Sequence, residues 1–181
     1  MKKKLLLLLL SVASISGFSQ NNYLDFDGVN DNVFVTGSEN ILSGSSTISM
    51  SCKVYPKNAN PSFPAFDVFA GYRNDSYFDF YIIQLSSSTI EARFRNSSGV
   101  AYTLTYSGLV LNQWNHFFLV YNGSYLSLFS GSTEVASMAA TGSVPITNTS
   151  IFRIGSIIYS INNFYHNGYI DEVSLWTKAL S

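Results

Sequence analysis

The sequence has few of the residues that carry covalent or metal chemistry. Cys52 is its only cysteine, so no internal disulfide can form and the fold must depend on its core, in which we expect Cys52 to be buried. The only two histidines, His116 and His166, do not have the spacing of a zinc site. No serine stands in a G-x-S-x-G nucleophile elbow, so the sequence gives no basis for a nucleophilic triad.

Charge is also scarce, whereas aromatic residues are abundant. Charged residues make up 12% of the 181 residues and aromatic residues 15%, with 12 Tyr and 14 Phe. The basic residues of the body of the chain form no patch, which argues against a nucleic-acid partner. The aromatic content favours β-sheet.

Residues 1–19 have the pattern of a secretory signal peptide. Three lysines at 2–4 precede the leucine run 5–10, and Gly17 and Ser19 are the small residues before a cut at Gln20. The apolar run is too short to span a bilayer comfortably. We therefore expect a secreted or cell-surface protein, with no transmembrane segment in the mature chain. Removing three lysines leaves seven Lys+Arg against eleven Asp+Glu, a net charge near −4.

Residues 20–181 have the length of a single domain and contain many short strand patterns. In 47–55, for example, Ile48, Met50, Cys52 and Val54 alternate with polar residues, and Asn122-Gly123 is a strong hairpin signal. No stretch shows a sustained helical period. The pattern predicts an all-β sandwich or barrel. The predicted strands are 23–26, 32–35, 47–55, 65–72, 77–85, 89–95, 100–106, 114–121, 125–130, 133–139, 150–155 and 169–176.

Three motifs occur in order along the chain, in segments 24–33, 111–116 with 121–131, and 154–155 with the closing strand 168–181. They resemble the opening "FDG…D-x-V", the "W-x-H-V…Y-D-G…L-x-L-Y-x-N-G" hairpin and the closing strand of the laminin-G-like jelly-roll domains, which belong to the concanavalin A-like lectin/glucanase superfamily. The resemblance implies one two-sheet antiparallel β-sandwich of jelly-roll type over 20–181. Lys53 departs from the family, which often has Trp there. Family members usually continue past the position of Ser181, which implies a domain truncated at its C-terminus.

Hydrolases that share this fold need two carboxylates on one strand face, about 5–5.5 Å apart for a retaining mechanism. The sequence contains no E-x-D-x-x-E or E-x-D-x-E window, and the adjacent Asp171 and Glu172 point to opposite faces of a strand. We therefore expect no catalytic residues and no enzyme activity. His116, at the family's Trp-x-His position, is expected to hold a buried strand by hydrogen bonding.

The resemblance also implies one structural Ca²⁺ where the first and last strands meet. Asp171 would supply a carboxylate, and Asp27 and Gly28 would supply carbonyls, because calcium prefers oxygen ligands. Alternatively, Asp171 accepts hydrogen bonds from the opening turn without a metal. Ile170 and Val173 are an odd number of residues apart, so both can face the core only if a bulge or twist lies near Asp171.

The segment 156–167 is predicted to be a polar and aromatic loop that binds ligand. Its candidate ligand-binding residues are Tyr159, Asn162, Asn163, Tyr165 and His166, because sugar sites combine aromatic faces with amide groups. A plain surface loop, with His166 solvated, is the alternative.

The sequence thus predicts a secreted, non-catalytic, monomeric recognition domain for carbohydrate or a cell-surface protein, alone or as a module of a larger adhesin. A glycoside hydrolase-like enzyme with an atypical site and a structural spacer domain are the alternatives, because this fold hosts all three. The predicted core is Phe26, Val33, Ile48, Val54, Trp114, Phe118, Val120, Leu128, Ile154, Ile170, Val173 and Leu175.

Overall fold

The computed structural model of the chain describes residues 22–74, 77–146, 150–159 and 162–181, where it forms β-strands and no helix. The predicted signal peptide, 1–19, lies outside these residues. The strands are β1 (Leu24–Asp27), β2 (Val33–Val35), β3 (Ile48–Pro56), β4 (Asp67–Asn74), β5 (Phe78–Gln84), β6 (Ile90–Arg95), β7 (Ala101–Tyr106), β8 (Asn115–Tyr121), β9 (Tyr125–Ser130), β10 (Thr133–Ala139), β11 (Phe152–Ile154), β12 (Ser156–Tyr159), β13 (Asn162–Tyr165) and β14 (Asn167–Trp176).

The strands form two main antiparallel sheets that pack face to face. The first sheet has the order β1-β14-β3-β8-β9-β10, and the second has the order β2-β11-β4-β5-β6-β7. This arrangement confirms the predicted two-sheet antiparallel sandwich. No helix in the described part of the chain is long and apolar enough to cross a membrane.

The core lies between the two sheets, where alternate residues of each strand meet. Ile48, Met50, Cys52 and Val54 of β3 are fully buried, as their alternation predicted. From the second sheet, β5 contributes Phe78, Phe80 and Ile82. The predicted core residues Phe26, Leu128 and Ile170 are also buried in this cluster, and Val33, Ile154, Val173 and Leu175 pack against it while partly exposed.

Strand β8 departs from the predicted core. Its fully buried residues are Phe117, Leu119 and Tyr121. Because side chains alternate along a strand, the residues between them face the outer side of the first sheet. Trp114 lies on that side with 41% of its surface exposed, and Phe118 is only half-buried. Placing these two residues in the core was therefore wrong. Val120 is buried, but it too faces outward, beside the chain terminus at Leu180.

The bulge predicted in the closing strand is confirmed. The pairing of β14 with β3 shifts register between Asp171 and Ser174, and Glu172 has a positive φ of 48°. This irregularity allows Ile170 to be buried while Val173 and Leu175 also reach the core.

The segment predicted as a loop at 156–167 is instead a hairpin. Strands β12 and β13 pair with each other as a separate two-stranded sheet. Ile157 and Phe164 of this hairpin pack on Val68, Tyr81 and Ile83. The hairpin therefore covers part of the outer face of the second sheet and forms a second, smaller core there.

Candidate binding pocket on the second sheet

A pocket of about 180 Å³ lies on the outer face of the second sheet, beside the hairpin. Strands β4, β5 and β6 supply its floor, because Arg73, Tyr81 and Arg93 alternate away from the core on three neighbouring strands. The described lining residues are Phe63, Phe66, Arg73, Tyr81, Ile83, Leu85, Glu91, Arg93 and Phe164.

Tyr81 is the centre of the polar part of the pocket. The guanidinium carbon atoms of Arg73 and Arg93 lie 5.2 Å and 5.6 Å from the centroid of its ring. Its hydroxyl donates to Oε1 of Glu91 at 2.8 Å and accepts from Nη1 of Arg73 at 3.4 Å. Burial raises the pKa of Tyr81, so its hydroxyl remains a proton donor at neutral pH.

The arginines of β6 are held in place by carboxylates. Nη2 of Arg93 lies 3.1 Å from Oε1 of Glu91, and Nε of Arg93 donates to Oγ1 of Thr103 at 3.2 Å. The fully buried Asp79 accepts from Nε of Arg95 at 2.9 Å and lies 4.0 Å from Nη1 of Arg93. Burial raises the pKa of Asp79, and Arg95, the strongest of the neighbouring arginines, opposes the shift.

Aromatic rings form the opposite wall of the pocket. Phe66 contacts Phe164 of the hairpin, with ring centroids 5.7 Å apart, and Phe63, with centroids 6.3 Å apart. Phe63 is 60% exposed, so it stands at the rim. The pocket thus combines two guanidiniums with exposed aromatic surface.

The five ligand-binding residues predicted from the sequence lie on or beside this hairpin. Not all of their described side chains are exposed. Asn163 is exposed, and Asn162 and Tyr165 are partly buried. The side chain of Tyr159 lies outside the described part. Phe164, between the predicted residues, is the described hairpin residue that reaches the pocket. Sequence reasoning missed Arg73, Glu91 and Arg93; their outward positions on alternating strands were the available signal.

His166 is fully buried, so the alternative of a solvated His166 is wrong. It packs edge-on against Phe69, with ring centroids 5.5 Å apart, and its Nδ1 lies 3.6 Å from Oδ2 of Asp67. That distance is too long for a hydrogen bond, and neither ring nitrogen has a hydrogen-bond partner among the described residues. A ligand bound at the surface would not reach His166.

His116 also differs from its predicted role. Its ring packs against that of Phe118, with centroids 4.3 Å apart, on the half-buried outer side of β8. Burial lowers the pKa of His116, an effect that Glu172 partly opposes, so the imidazole is neutral at pH 7. It stacks on an aromatic neighbour, whereas the sequence predicted that it holds a buried strand by hydrogen bonding.

The predicted calcium ligands are not brought together. Asp27 pairs with Asn167 at the end of the β1–β14 ladder, so Asp171 lies four residues further along β14, about 13 Å away at roughly 3.3 Å per residue. Oδ1 of Asp27 accepts from the amide of Val29, and Oδ1 of Asp171 accepts from the amide of Glu172. One ion held by Asp27, Gly28 and Asp171 together does not fit this register. No group of three acidic, His or Cys residues suited to a metal occurs in the described part of the chain. That the chain binds a structural Ca²⁺ stays a prediction.

The structure is thus a two-sheet β-sandwich with a pocket on the outer face of its second sheet. A laminin-G-type family model matches residues 27–181, so the chain belongs to the concanavalin A-like lectin/glucanases superfamily, as its motifs predicted. A search of curated proteins finds no match.

Solved structures share the fold at low sequence identity. The CBM40 module of a Ruminococcus gnavus IT-sialidase, bound to α2,3-sialyllactose, is 14% identical with a TM-score of 0.64, covering 88% of this chain and 94% of that one. A heptameric SAP-like pentraxin from Limulus polyphemus is 14% identical with a TM-score of 0.62, covering 87% and 76%. The leech intramolecular trans-sialidase is 16% identical with a TM-score of 0.68; the match covers 88% of this chain but 26% of the enzyme.

Proposed function

We propose that this chain is a secreted, non-catalytic recognition domain that binds an acidic carbohydrate in the pocket of the second sheet. The observation that carries the proposal is the pair of guanidiniums, Arg73 and Arg93, on either side of Tyr81 in an aromatic-walled pocket.

The chemistry of the pocket matches both parts of an acidic sugar. A guanidinium presents its N–H groups in a planar fork that suits a carboxylate or sulfate, and such charge-assisted hydrogen bonds are the strong ones. The C–H face of a sugar ring suits the rings of Phe63, Phe66 and Phe164. A volume of about 180 Å³ suits one sugar unit or an acidic substituent, with the rest of the chain outside.

The solved structures support a carbohydrate ligand. The CBM40 module with the same fold was solved with sialyllactose, a saccharide that carries a carboxylate. At 14% identity this similarity shows only a shared fold. The proposal of an acidic ligand therefore depends on the pocket residues of this chain.

The carboxylates support binding more than hydrolysis. Glu91 lines the pocket, but its Oε1 already accepts from Tyr81 and contacts Arg93. Asp79 is fully buried beside Arg95 and is not among the described lining residues. A glycosidase needs two carboxyl groups that both reach the scissile bond. The predicted signal peptide supports export. Export and carbohydrate binding also agree with a role as a module of a larger adhesin.

The test is binding of the mature protein to a glycan array that contains neutral, carboxylated and sulfated saccharides. We expect acidic members to be retained and Arg73→Gln or Arg93→Gln to weaken their binding at least tenfold. Arg153→Gln is the matched control, because Arg153 lies on the outer face of the same sheet, over Phe34 at 4.5 Å, and is not among the residues described as lining the pocket.

Two results would contradict the proposal. Equal loss in the Arg153 and Arg93 variants would indicate a general effect of charge instead of a site. Release of reducing ends from a retained acidic polysaccharide would show an enzyme, and would favour the hydrolase-like alternative.

A further inference from the structure

The outer face of the first sheet carries a row of aromatic side chains that the pocket does not use. Tyr55 pairs with Tyr169 across β3 and β14, and Trp114 stands beside Tyr55 because Val54 pairs with Asn115. Tyr23, just before β1, packs on Tyr169 with ring centroids 4.3 Å apart. We call Tyr23, Tyr55, Trp114 and Tyr169 the aromatic platform.

Two rings of the aromatic platform are open to solvent. Tyr23 is 44% exposed and Trp114 is 41% exposed, with their centroids 5.9 Å apart and their planes at 60°. Tyr55 and Tyr169 are partly buried and contact Trp114 at 5.7 Å and 6.4 Å between centroids. The rings therefore support one another, so they can take up a ligand with little loss of side-chain entropy.

The charges around the aromatic platform nearly cancel. Nζ of Lys57 lies over the ring of Tyr169 at 3.5 Å and 3.6 Å from Oδ1 of Asp25. Nζ of Lys53 lies 5.5 Å from the Trp114 ring and 3.5 Å from Oε1 of Glu172. Asp171, the strand partner of Lys53, adds a third carboxylate to the two lysines. This balance gives no attraction for a strongly charged partner of either sign.

We propose that the aromatic platform is a second binding surface, which takes the sugar rings of a neutral polysaccharide. The C–H faces of successive pyranose rings stack on Tyr23 and Trp114, one sugar on each because the two ring planes lie at 60°, while their hydroxyls bond to the ammonium and carboxylate groups at the margin. Aromatic side chains with polar groups at their edge suit a ligand that is apolar on one face and polar at its rim. This site goes beyond the pocket proposed for an acidic carbohydrate, which lies on the other sheet.

The two sites together would let one domain hold two different glycans. The aromatic platform is on the outer face of the first sheet, and the pocket is on the outer face of the second, so the core separates them. Neither site needs the other, because no residue of the platform lines the pocket in the described part of the chain.

The experiment is depletion of the mature protein from solution by insoluble cellulose, chitin and β-1,3-glucan. We expect at least one to retain the protein, and Trp114→Ala or Tyr23→Ala to weaken retention about tenfold, the effect of losing one stacking contact. Tyr125→Ala is the matched control, because Tyr125 is 53% exposed on the same outer face, on β9, but stands outside the platform. Melting temperatures of all three variants report whether the fold is intact.

The outcomes distinguish binding at the aromatic platform from binding in the pocket of the second sheet. Arg73→Gln should bind the neutral polysaccharide as the wild type does, even if the pocket proves not to bind any sugar. Failure of all three polysaccharides to retain the wild type, or equal retention of wild type and Trp114→Ala, would overturn the proposal.

Discussion

Tyr81 and Glu91 join β5 to β6 on the outer face of the second sheet by a hydrogen bond of 2.8 Å between side chains. The bond links a fully buried hydroxyl to a carboxylate that is also held by Arg93 at 3.1 Å. The bond therefore orders the polar half of the pocket. It fixes the Glu91 carboxylate that binds Arg93, and it fixes the Tyr81 ring between the two guanidiniums.

Replacing Tyr81 with Phe removes this bond and keeps the ring. We expect the free energy of unfolding to fall by about 1.5–3 kcal/mol, the usual range for a hydrogen bond to a charged group. Urea denaturation measures the change. Tyr125→Phe should stay within about 0.5 kcal/mol, because an exposed hydroxyl is free to bond with water. Equal losses in the two variants would mean that the bond contributes nothing.

The thiol of Cys52 should not react with thiol reagents in the native protein. Burial raises the pKa of its thiol from 9.0 to about 12, so the reactive thiolate is suppressed. We expect a thiol reagent at pH 8 to label the unfolded protein fully and the folded protein only as fast as it unfolds. Rapid labelling without denaturant would show that β3 does not bury Cys52.

The same shift predicts how stability depends on pH. Above about pH 9 the unfolded state releases the Cys52 proton while the folded state keeps it, so stability falls as the pH rises from 9.0 towards 12. We expect Cys52→Ala to lose less stability than the wild type over this pH range. The measurement is the slope of the free energy of unfolding against pH for the two proteins. Identical slopes would contradict the raised pKa of Cys52.

Gly71 is required by the close packing of β4 against β5. Its φ is 148°, and a Cβ atom there would lie 2.4 Å from Cβ of Tyr81. We expect Gly71→Ala to lower the free energy of unfolding by about 2–4 kcal/mol, through overpacking together with backbone strain. Gly37→Ala is the control, because Gly37 has a φ of 82° but open space around it, so only the strain of about 1–2 kcal/mol remains. Thermal denaturation of the two variants should rank them in that order.

Glu172 occupies a backbone conformation that suits glycine. Its φ of 48° lies in the left-handed region, where a side chain costs about 1–2 kcal/mol. We expect Glu172→Gly to raise the free energy of unfolding by up to about 1 kcal/mol, because the relieved strain exceeds the roughly 0.5–1 kcal/mol of chain entropy that glycine costs, and the exposed ion pair to Lys53 contributes little. Glu172→Val should lose more than 1 kcal/mol, because a branched side chain fits this region poorly.

The control for the bulge is an exposed residue in a strand of regular register. Thr105 lies in β7, opposite Glu91 of β6, where a glycine should cost about 0.5–1 kcal/mol. If Glu172→Gly loses as much stability as Thr105→Gly in thermal denaturation, the bulge is not the reason that Glu172 is tolerated.

Much of the fold follows from local patterns. Alternation in β6 assigned the buried residues correctly, and in β3 it assigned the residues that face the core, because side chains on a strand point to opposite faces. It did not predict that Ser49 and Ser51, on the outer face of β3, are buried as well. The odd spacing of Ile170 and Val173 predicted the bulge for the same reason. The motifs of the laminin-G-like family located the opening and closing strands, which pair as β1 and β14.

Other features were beyond local reasoning. Alternation in β8 allows either Trp114 and Phe118 or Phe117 and Leu119 to face the core, and only packing against the second sheet decided between them. The segment 156–167 has apolar residues without a regular period of two, so local patterns did not predict its hairpin, in which Ile157 and Phe164 pack on Val68 and Ile83. The burial of His166 likewise depends on distant residues, because its ring packs on Phe26 of β1 and Phe69 of β4.

By itself, the sequence determined the strand pattern, the sandwich and the family, because a period of two and its turn residues act between neighbours in the chain. The tertiary structure alone decided where recognition chemistry is placed. Arg73, Tyr81 and Arg93 come together because β4, β5 and β6 are adjacent in one sheet, and Trp114 reaches Tyr23 because β8, β3, β14 and β1 are adjacent in the other. Strand order and the choice of inner face depend on contacts between distant residues, which no short window of sequence contains.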